Sequence, residues 1–240
     1  MSRFFRVSLR TLDVEAARDF YGRILGDVPR ISRLHEQAVA RGARPHWLGL
    51  LDVDDVDRAV EAFVARGGAP LGPRWSDADG LDAANVRDPG GAVVSLAKPP
   101  PSARGERLAV PEPEVAWHLL HTSNLAAVKE AYAQVAGWEF SAPFEAGEHG
   151  TFHPFAWQAG GTVVGAACDI TARPSVHPHW LFHFRVDALD PAMAAVKSAG
   201  GTVFGPFVVP RGDRVAVCDD LQGAAFALYE SAGGGSRATP

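Results

Sequence analysis

Pro45-His46-Trp47-Leu48 and Pro178-His179-Trp180-Leu181 are the same four residues met twice in one chain, and the stretches around them decide the fold. From each tetrapeptide the same spacing leads to Val53-Asp54 and Val186-Asp187, to Asp57 and Asp190, and to Gly67-Gly68 and Gly200-Gly201. It continues to Gly72-Pro73 and Gly205-Pro206; then one residue drops out before Asp88, Gly91 and Leu96 meet Asp220, Gly223 and Leu228. Upstream, Asp13, Tyr21 and Gly26 match Asn124, Tyr132 and Gly137. Chance supplies a single match of this kind, not an ordered set, so the chain is a duplication.

Each half divides again into a strand, an amphipathic helix and further strands. The run Phe4–Arg10 alternates, with Phe5, Val7 and Leu9 on one side and Arg6, Ser8 and Arg10 on the other. Asp13 fits the N-cap of a helix that buries Val14, Ala17, Tyr21 and Ile24. A strand over His46–Val53 precedes a second helix, capped near Asp54, with Val56, Val60, Phe63 and Val64 inward and Gly67-Gly68 at its end. Asp88-Pro89-Gly90-Gly91 reads as a hairpin turn before a strand over Ala92–Ala97. In the second half the stripes are Leu125, Val128, Tyr132, Val135 and Leu189, Ala192, Met193, Val196. A unit of this kind used four times predicts an α+β architecture, with curved sheets covered by helices on one side and their concave sides left to line cavities.

Lys98 to Pro113 carries prolines at 99, 100, 101, 111 and 113, the composition of a stiff spacer. The expected organisation is therefore a domain over 1–98, a linker over 99–113, a second domain over 114–230, and a Gly/Ser-rich disordered tail over 231–240. Between Gly26 and Pro45 lie 18 residues, against 40 between Gly137 and Pro178. The first module should be short by about two strands, with Ile31–Val39 holding one edge strand.

The formal net charge of -5 argues against nucleic-acid or anionic-membrane partners. Two cysteines, Cys168 and Cys218, in unrelated contexts do not make a disulfide scaffold. With no apolar run long enough for a leader or a membrane span, the expected location is the cytoplasm. Monomer and homodimer both remain open.

Strand alternation nominates the cavity lining. Trp180, Phe182, Phe184 and Val186 should pack under helices, leaving His179, Leu181, His183 and Arg185 on the other face. Likewise Trp47, Gly49, Leu51 and Val53 go under helices, and His46, Leu48, Leu50 and Asp52 face the first cavity. Trp117, Leu119 and His121 face the second, which places His118 beneath a helix; Ala225, Ala227 and Tyr229 face it from the last strand. Trp117, His121, His179, His183, Arg185 and Tyr229, with Arg6 and His46 in the first half, are the candidate ligand-binding residues. Three inward imidazoles, at 121, 179 and 183, should make ligand affinity vary between about pH 5.5 and 8. A histidine at a strand edge also serves plain hydrogen bonding, and the repeated Pro-His-Trp-Leu has a structural reading: proline starts the strand and tryptophan fills the core. Asp52, Asp54, Asp55 and Asp57 are explained by capping and the helix dipole. No Ser-His-Asp signature, phosphate-binding glycine loop or Cys-x-x-Cys site is present.

The segments Asp13 through Tyr21 and Gly26, Ala65-Arg66-Gly67-Gly68 and Asp88-Pro89-Gly90-Gly91, with their second-half counterparts, resemble the vicinal-oxygen-chelate superfamily of glyoxalases, bleomycin-resistance proteins and extradiol dioxygenases. The resemblance implies two tandem glyoxalase-like domains, each of paired β-α-β-β-β modules with curved mixed sheets around a cavity. It also implies where metal ligands would stand: a His on a module's first strand and a Glu on its last. Those positions fall on Arg6, Leu48 and Ser95 in one half and on Trp117, Leu181 and Ala227 in the other. None is a usable ligand, so no metal and no other cofactor is expected. The leading functional expectation is a small-molecule-binding protein. The alternative is an enzyme of the superfamily (lyase, isomerase or dioxygenase type) using His183 or His121 as base and Tyr229 as donor, or a displaced metal set of His121, His179 and His183. A third reading is a structural duplicate with vestigial cavities.

Overall fold

A computed structural model describes residues 2–28, 30–76, 80–99, 113–209 and 212–233. Most of the proline-rich spacer (100–112) and the end of the tail (234–240) lie outside these residues.

The first half runs β1 (Phe4–Thr11), α1 (Val14–Leu25), β2 (Arg30–Arg33), α2 (Glu36–Ala40), β3 (His46–Asp52), α3 (Val56–Val64), β4 (Ala69–Pro70), β5 (Trp75–Ser76), β6 (Asp82–Arg87) and β7 (Val93–Lys98). The second runs β8 (Val115–Thr122), α4 (Leu125–Ala136), β9 (Glu139–Phe140), β10 (Phe144–Glu145), β11 (Thr151–Ala156), β12 (Val163–Asp169), β13 (His179–Arg185), α5 (Leu189–Ser198), β14 (Thr202–Val208), β15 (Arg214–Asp219) and β16 (Ala225–Glu230). Each half contributes one mixed sheet: seven described strands ordered β2-β1-β3-β7-β6-β4 with β5 on β6, and nine ordered β10-β11-β12-β8-β13-β16-β15-β14 with β9 on β11. The fold is α+β, as the repeat implied, and the first module is the shortened one. Where the second half sets β9 to β12 before the Pro-His-Trp-Leu strand, the first sets β2, parallel to β1, and the short helix α2.

The helices start where short polar side chains can take orphan amides. Asp13 accepts from Ala16 N at 3.0 Å and Asn124 from Ala127 N at 3.2 Å. The cap of α3 is Asp55, accepting from Arg58 N at 3.1 Å, one residue beyond the Asp54 expected. α5 has no side-chain cap of its own; Glu230 Oε2 takes Leu189 N at 3.1 Å instead. Phe20 and Ala59 join the buried stripes that periodicity centres on Tyr21 and Phe63, while Val64 is exposed.

The contacts divide the described residues into two compact units, and neither is a half of the sequence. One gathers those within Met1–Val7, Leu48–Ala109 and His118–Trp180; the other, those within Ser8–Trp47, Val110–Trp117 and Leu181–Pro240. The repeated residues explain the exchange. In the first unit Trp180 Nε1 donates to Tyr132 Oη at 3.1 Å, and Tyr132 donates to Asp88 Oδ2 at 3.2 Å. In the second, Trp47 Nε1 donates to Tyr21 Oη at 3.2 Å, and Tyr21 donates to Asp220 Oδ2 at 3.1 Å. Each triad takes its tryptophan and tyrosine from one half and its aspartate from the hairpin turn of the other. Both aspartates also receive turn amides on Oδ1, from Gly90 and Ala92 or from Gln222 and Ala224. All six side chains are buried. These partners satisfy polar groups that would otherwise be costly in the interior.

Candidate functional site

His179 opens β13 with its ring turned back on the chain, Nδ1 lying 2.8 Å from the carbonyl of His177. A carbonyl only accepts, so Nδ1 carries the hydrogen and Nε2 of the neutral ring is an acceptor. That Nε2 lies 3.3 Å from Nδ1 of His121 on β8. His121 is therefore the donor in that contact. The ring centroids of His121 and His179 are 4.7 Å apart, as are those of His177 and His179. Burial pushes His179 down to about 4, outweighing the lift from the His177 carbonyl; the charge on His177 lowers it further. Near neutral pH His179 is thus uncharged, with its tautomer fixed by the His177 carbonyl.

Beside it, parallel pairing of β8 with β12 sets Cys168 next to His121 and Ala166 next to Leu119 on one face. Arg173 Nη2 contacts the Cys168 sulfur at 2.8 Å. Burial still raises the thiol above its ordinary value, against the pull of the guanidinium, so it is not poised as a nucleophile. On the opposite face of β8, His118 stacks on Phe4 at 5.6 Å, meets Trp157 edge-on at 4.9 Å, and lies with Nδ1 3.0 Å from Val164 O. His118 is thus packed among aromatic side chains, on the opposite face of β8 from His121.

The other candidates of the second half sit in the second unit. β13 and β16 pair in parallel with His183 beside Ala227 and Arg185 beside Tyr229. His183 is buried. Arg185 lies over the Tyr229 ring at 5.6 Å and donates from Nε to Glu114 at 2.8 Å; Tyr229 donates to Asp213 Oδ2 at 2.5 Å. Both side chains are thus engaged by acids of the protein itself. Trp117 is half-buried on β8.

In the first half, Leu48 and Leu50 close on Leu81, Ala83 and Ala97, with Phe5, Trp75 and Val93 packed around them. The face that alternation assigns to a cavity is a small apolar core at this point. Arg6 lies with its guanidinium 5.7 Å from the Phe5 ring. His46 repeats the geometry of His179, Nδ1 lying 2.8 Å from Arg44 O.

The superfamily's metal positions do not fit an ion. Leu48 and Ser95 are buried beside the apolar cluster, Arg6 brings a fixed positive charge, and Trp117, Leu181 and Ala227 have no donor for a cation. Among the described residues, no three His, Cys, Asp or Glu side chains converge as a metal site. Of the alternative set His121, His179 and His183, the first two stand in contact within one unit, and His183 belongs to the other. Sequence reasoning missed the histidine chain, the Cys168–Arg173 contact and the two triads. The triad residues are all visible as repeat matches, but nothing in the spacing says that aspartate and tyrosine pair across halves.

Against known proteins, the chain is 30% identical over 250 residues to "Putative glyoxylase CFP32" of Mycobacterium tuberculosis (strain CDC 1551 / Oshkosh), covering 94% of both chains. The Mycobacterium bovis protein of the same name matches equally. The chain belongs to the vicinal-oxygen-chelate superfamily. No family model matches it. Solved structures show the same superfamily fold at lower identity. The Mn(II)-bound glyoxalase of Novosphingobium aromaticivorans has a TM-score of 0.60 at 13% identity, covering 96% of this chain and 83% of that one. A homoprotocatechuate 2,3-dioxygenase variant from B. fuscum has 0.61 at 14%, covering 94% and 70%. The 2,3-dioxygenase LapB from Pseudomonas sp. KL28 has 0.58 at 14%, covering 94% and 91%. No helix among the described residues is long and apolar enough to cross a membrane.

Proposed function

We propose that this superfamily member binds a small organic molecule on the face bearing His121 and His179, in the cytoplasm and without a metal ion. The observation that carries the reading is the chain from the His177 carbonyl through His179 to His121, which sets imidazoles on the face His121 shares with Leu119, Ala166 and Cys168. Hydrogen-bonding imidazoles beside Leu119 and Ala166 suit a small organic ligand that offers both a polar group and an apolar surface. The glyoxalase and dioxygenase relatives supply the fold for such a face, and the non-ligating side chains at the superfamily's metal positions argue for a metal-free site.

A second reading draws on the same chain. A proton taken up at His121 Nε2 strengthens the donation from its Nδ1 to His179, which is the arrangement of a supported general base. This would make the protein a metal-free enzyme of the superfamily.

Native mass spectrometry of the purified protein, followed by titration of whatever small molecule is recovered, tests the first reading. His121→Ala should weaken binding about tenfold or more, roughly 1.4 kcal/mol. Near-stoichiometric metal in protein purified without a tag, lost in His121→Ala, would overturn the metal-free reading. Turnover of a recovered compound that survives chelation and disappears in His121→Ala would move the enzyme to first place.

A further inference from the structure

The first half carries at the equivalent positions a different chemistry. Where the second half has Leu119 and His121 on β8, the first has Ser8 and Arg10 on β1. These two lie on one face two residues apart, and β2 runs parallel beside them with Ser32 next to Arg10. Arg10 donates from Nη1 to the Ser32 hydroxyl. Arg10 is only partly exposed, and it is in no ion pair among the described residues. Burial alone acts on its ionisation, lowering it, with no carboxylate to offset the effect. Beside it, Ser8 is 6% exposed and its Oγ is buried without a hydrogen-bond partner. Burial lowers His46 below the ordinary histidine value, against the lift from the Arg44 carbonyl 2.8 Å from its Nδ1, and the positive charge of Arg10 lowers it further.

A guanidinium out of water needs a counter-charge, and a buried hydroxyl needs a partner. We propose that Ser8, Arg10 and Ser32, with His46 alongside, form an oxyanion-binding site for a small organic acid. The planar fork of Arg10 matches a carboxylate in two-point contact. Ser32 accepts from Arg10 and keeps its own hydrogen to donate, and Ser8 supplies a further donor. The site shares no residue with the His121–His179 face, so either assignment can fail while the other stands.

Isothermal titration of the full-length protein with benzoate, and separately with inorganic phosphate, at constant ionic strength in chloride, tests this. Saturable binding of one equivalent of benzoate is expected, weakened about 30-fold or more by Arg10→Gln and about fivefold by Ser8→Ala. Arg214→Gln, a surface ion-pair change, should leave it unaltered. Phosphate binding with the same dependence would also support the site and would name phosphate monoesters as the source of the oxyanion. If Arg10→Gln does not fold, Arg10→Lys and Ser8→Ala decide. Weakening of about threefold or more in both supports the site. Undiminished affinity in these variants, or no binding of either anion above chloride, overturns it.

Discussion

Tyr132 sits fully buried between a donor and an acceptor: Trp180 gives it a hydrogen bond and Asp88 takes one. Burial raises Asp88 to about 6, against the turn amides and the Tyr132 hydroxyl that pull it down. Replacing Tyr132 by Phe strands the indole N–H and one carboxylate oxygen together. Urea unfolding near neutral pH should show a loss of about 2–3 kcal/mol, with Tyr21→Phe giving a comparable loss in the other triad. A double-mutant cycle of Tyr132→Phe with Asp88→Asn should reveal coupling of about 1 kcal/mol or more; additivity would mean the triad is not a working unit.

At the scale of elements, the two hairpin turns solve the same docking problem differently. Gly90 lies so close to β8 and α4 that a Cβ would overlap Thr122 Oγ1 and come within 2.7 Å of Val128 Cγ2; its carbonyl accepts from Ser123 N at 3.0 Å. The position equivalent to Gly90 is Gln222, whose side chain reaches out instead, accepting from Leu12 N and Asp13 N and donating to Asp13 O. Gly90→Ala should therefore cost about 1–3 kcal/mol by overpacking. Gln222→Ala should cost about 1 kcal/mol, because the freed backbone groups are near water. Thermal unfolding of the two variants would rank them, and an equal effect would contradict the steric account.

For the whole molecule, the exchange of aspartates between halves means that neither half completes its own triads. Fragments 1–98 and 114–230 expressed apart should each lack native stability, and mixing them should restore the near-ultraviolet circular dichroism of the intact chain. Independent folding of either fragment would overturn this. The buried histidines set the response to acid. His118 and His179 are both pushed from 6.5 to about 4 by burial. Their contribution is fully present above the unfolded value of 6.5 and is lost as pH falls towards 4, at about 1.4 kcal/mol for each tenfold difference in proton affinity between folded and unfolded chain. Asp88, raised to about 6, acts oppositely: its protonated form is favoured in the fold, so it adds stability as pH falls from 6 towards 3.8. Asp220 is raised by burial too and acts with Asp88, while His46 and His153 are lowered and act with His118 and His179. Four histidines outweigh two aspartates, and urea midpoints should fall between pH 6.5 and 4. His118→Gln, which keeps a donor for Val164 O but cannot titrate, should flatten that fall. The expectation that the histidine face titrates near neutrality does not hold for His179, which stays neutral well below that range.

The duplication, the α+β class and the shortened first module are legible in the chain of residues, because repeat spacing, hydrophobic period and capping chemistry are local. Asp13 and Asn124 cap helices, and Trp47 and Trp180 fill the core, for reasons readable within a few residues of each. Local spacing also located the histidines of the face but not their states, since the 3.3 Å contact of His121 with His179 joins strands 58 residues apart. Packing alone settles that Asp88 serves Tyr132, that Leu48 and Leu50 close a face alternation leaves open, and that Arg10 is part-buried in no ion pair among the described residues. These are long-range facts of burial and partner choice, and a repeat written twice in one chain leaves open which copy of an aspartate meets which copy of a tyrosine until both halves have packed.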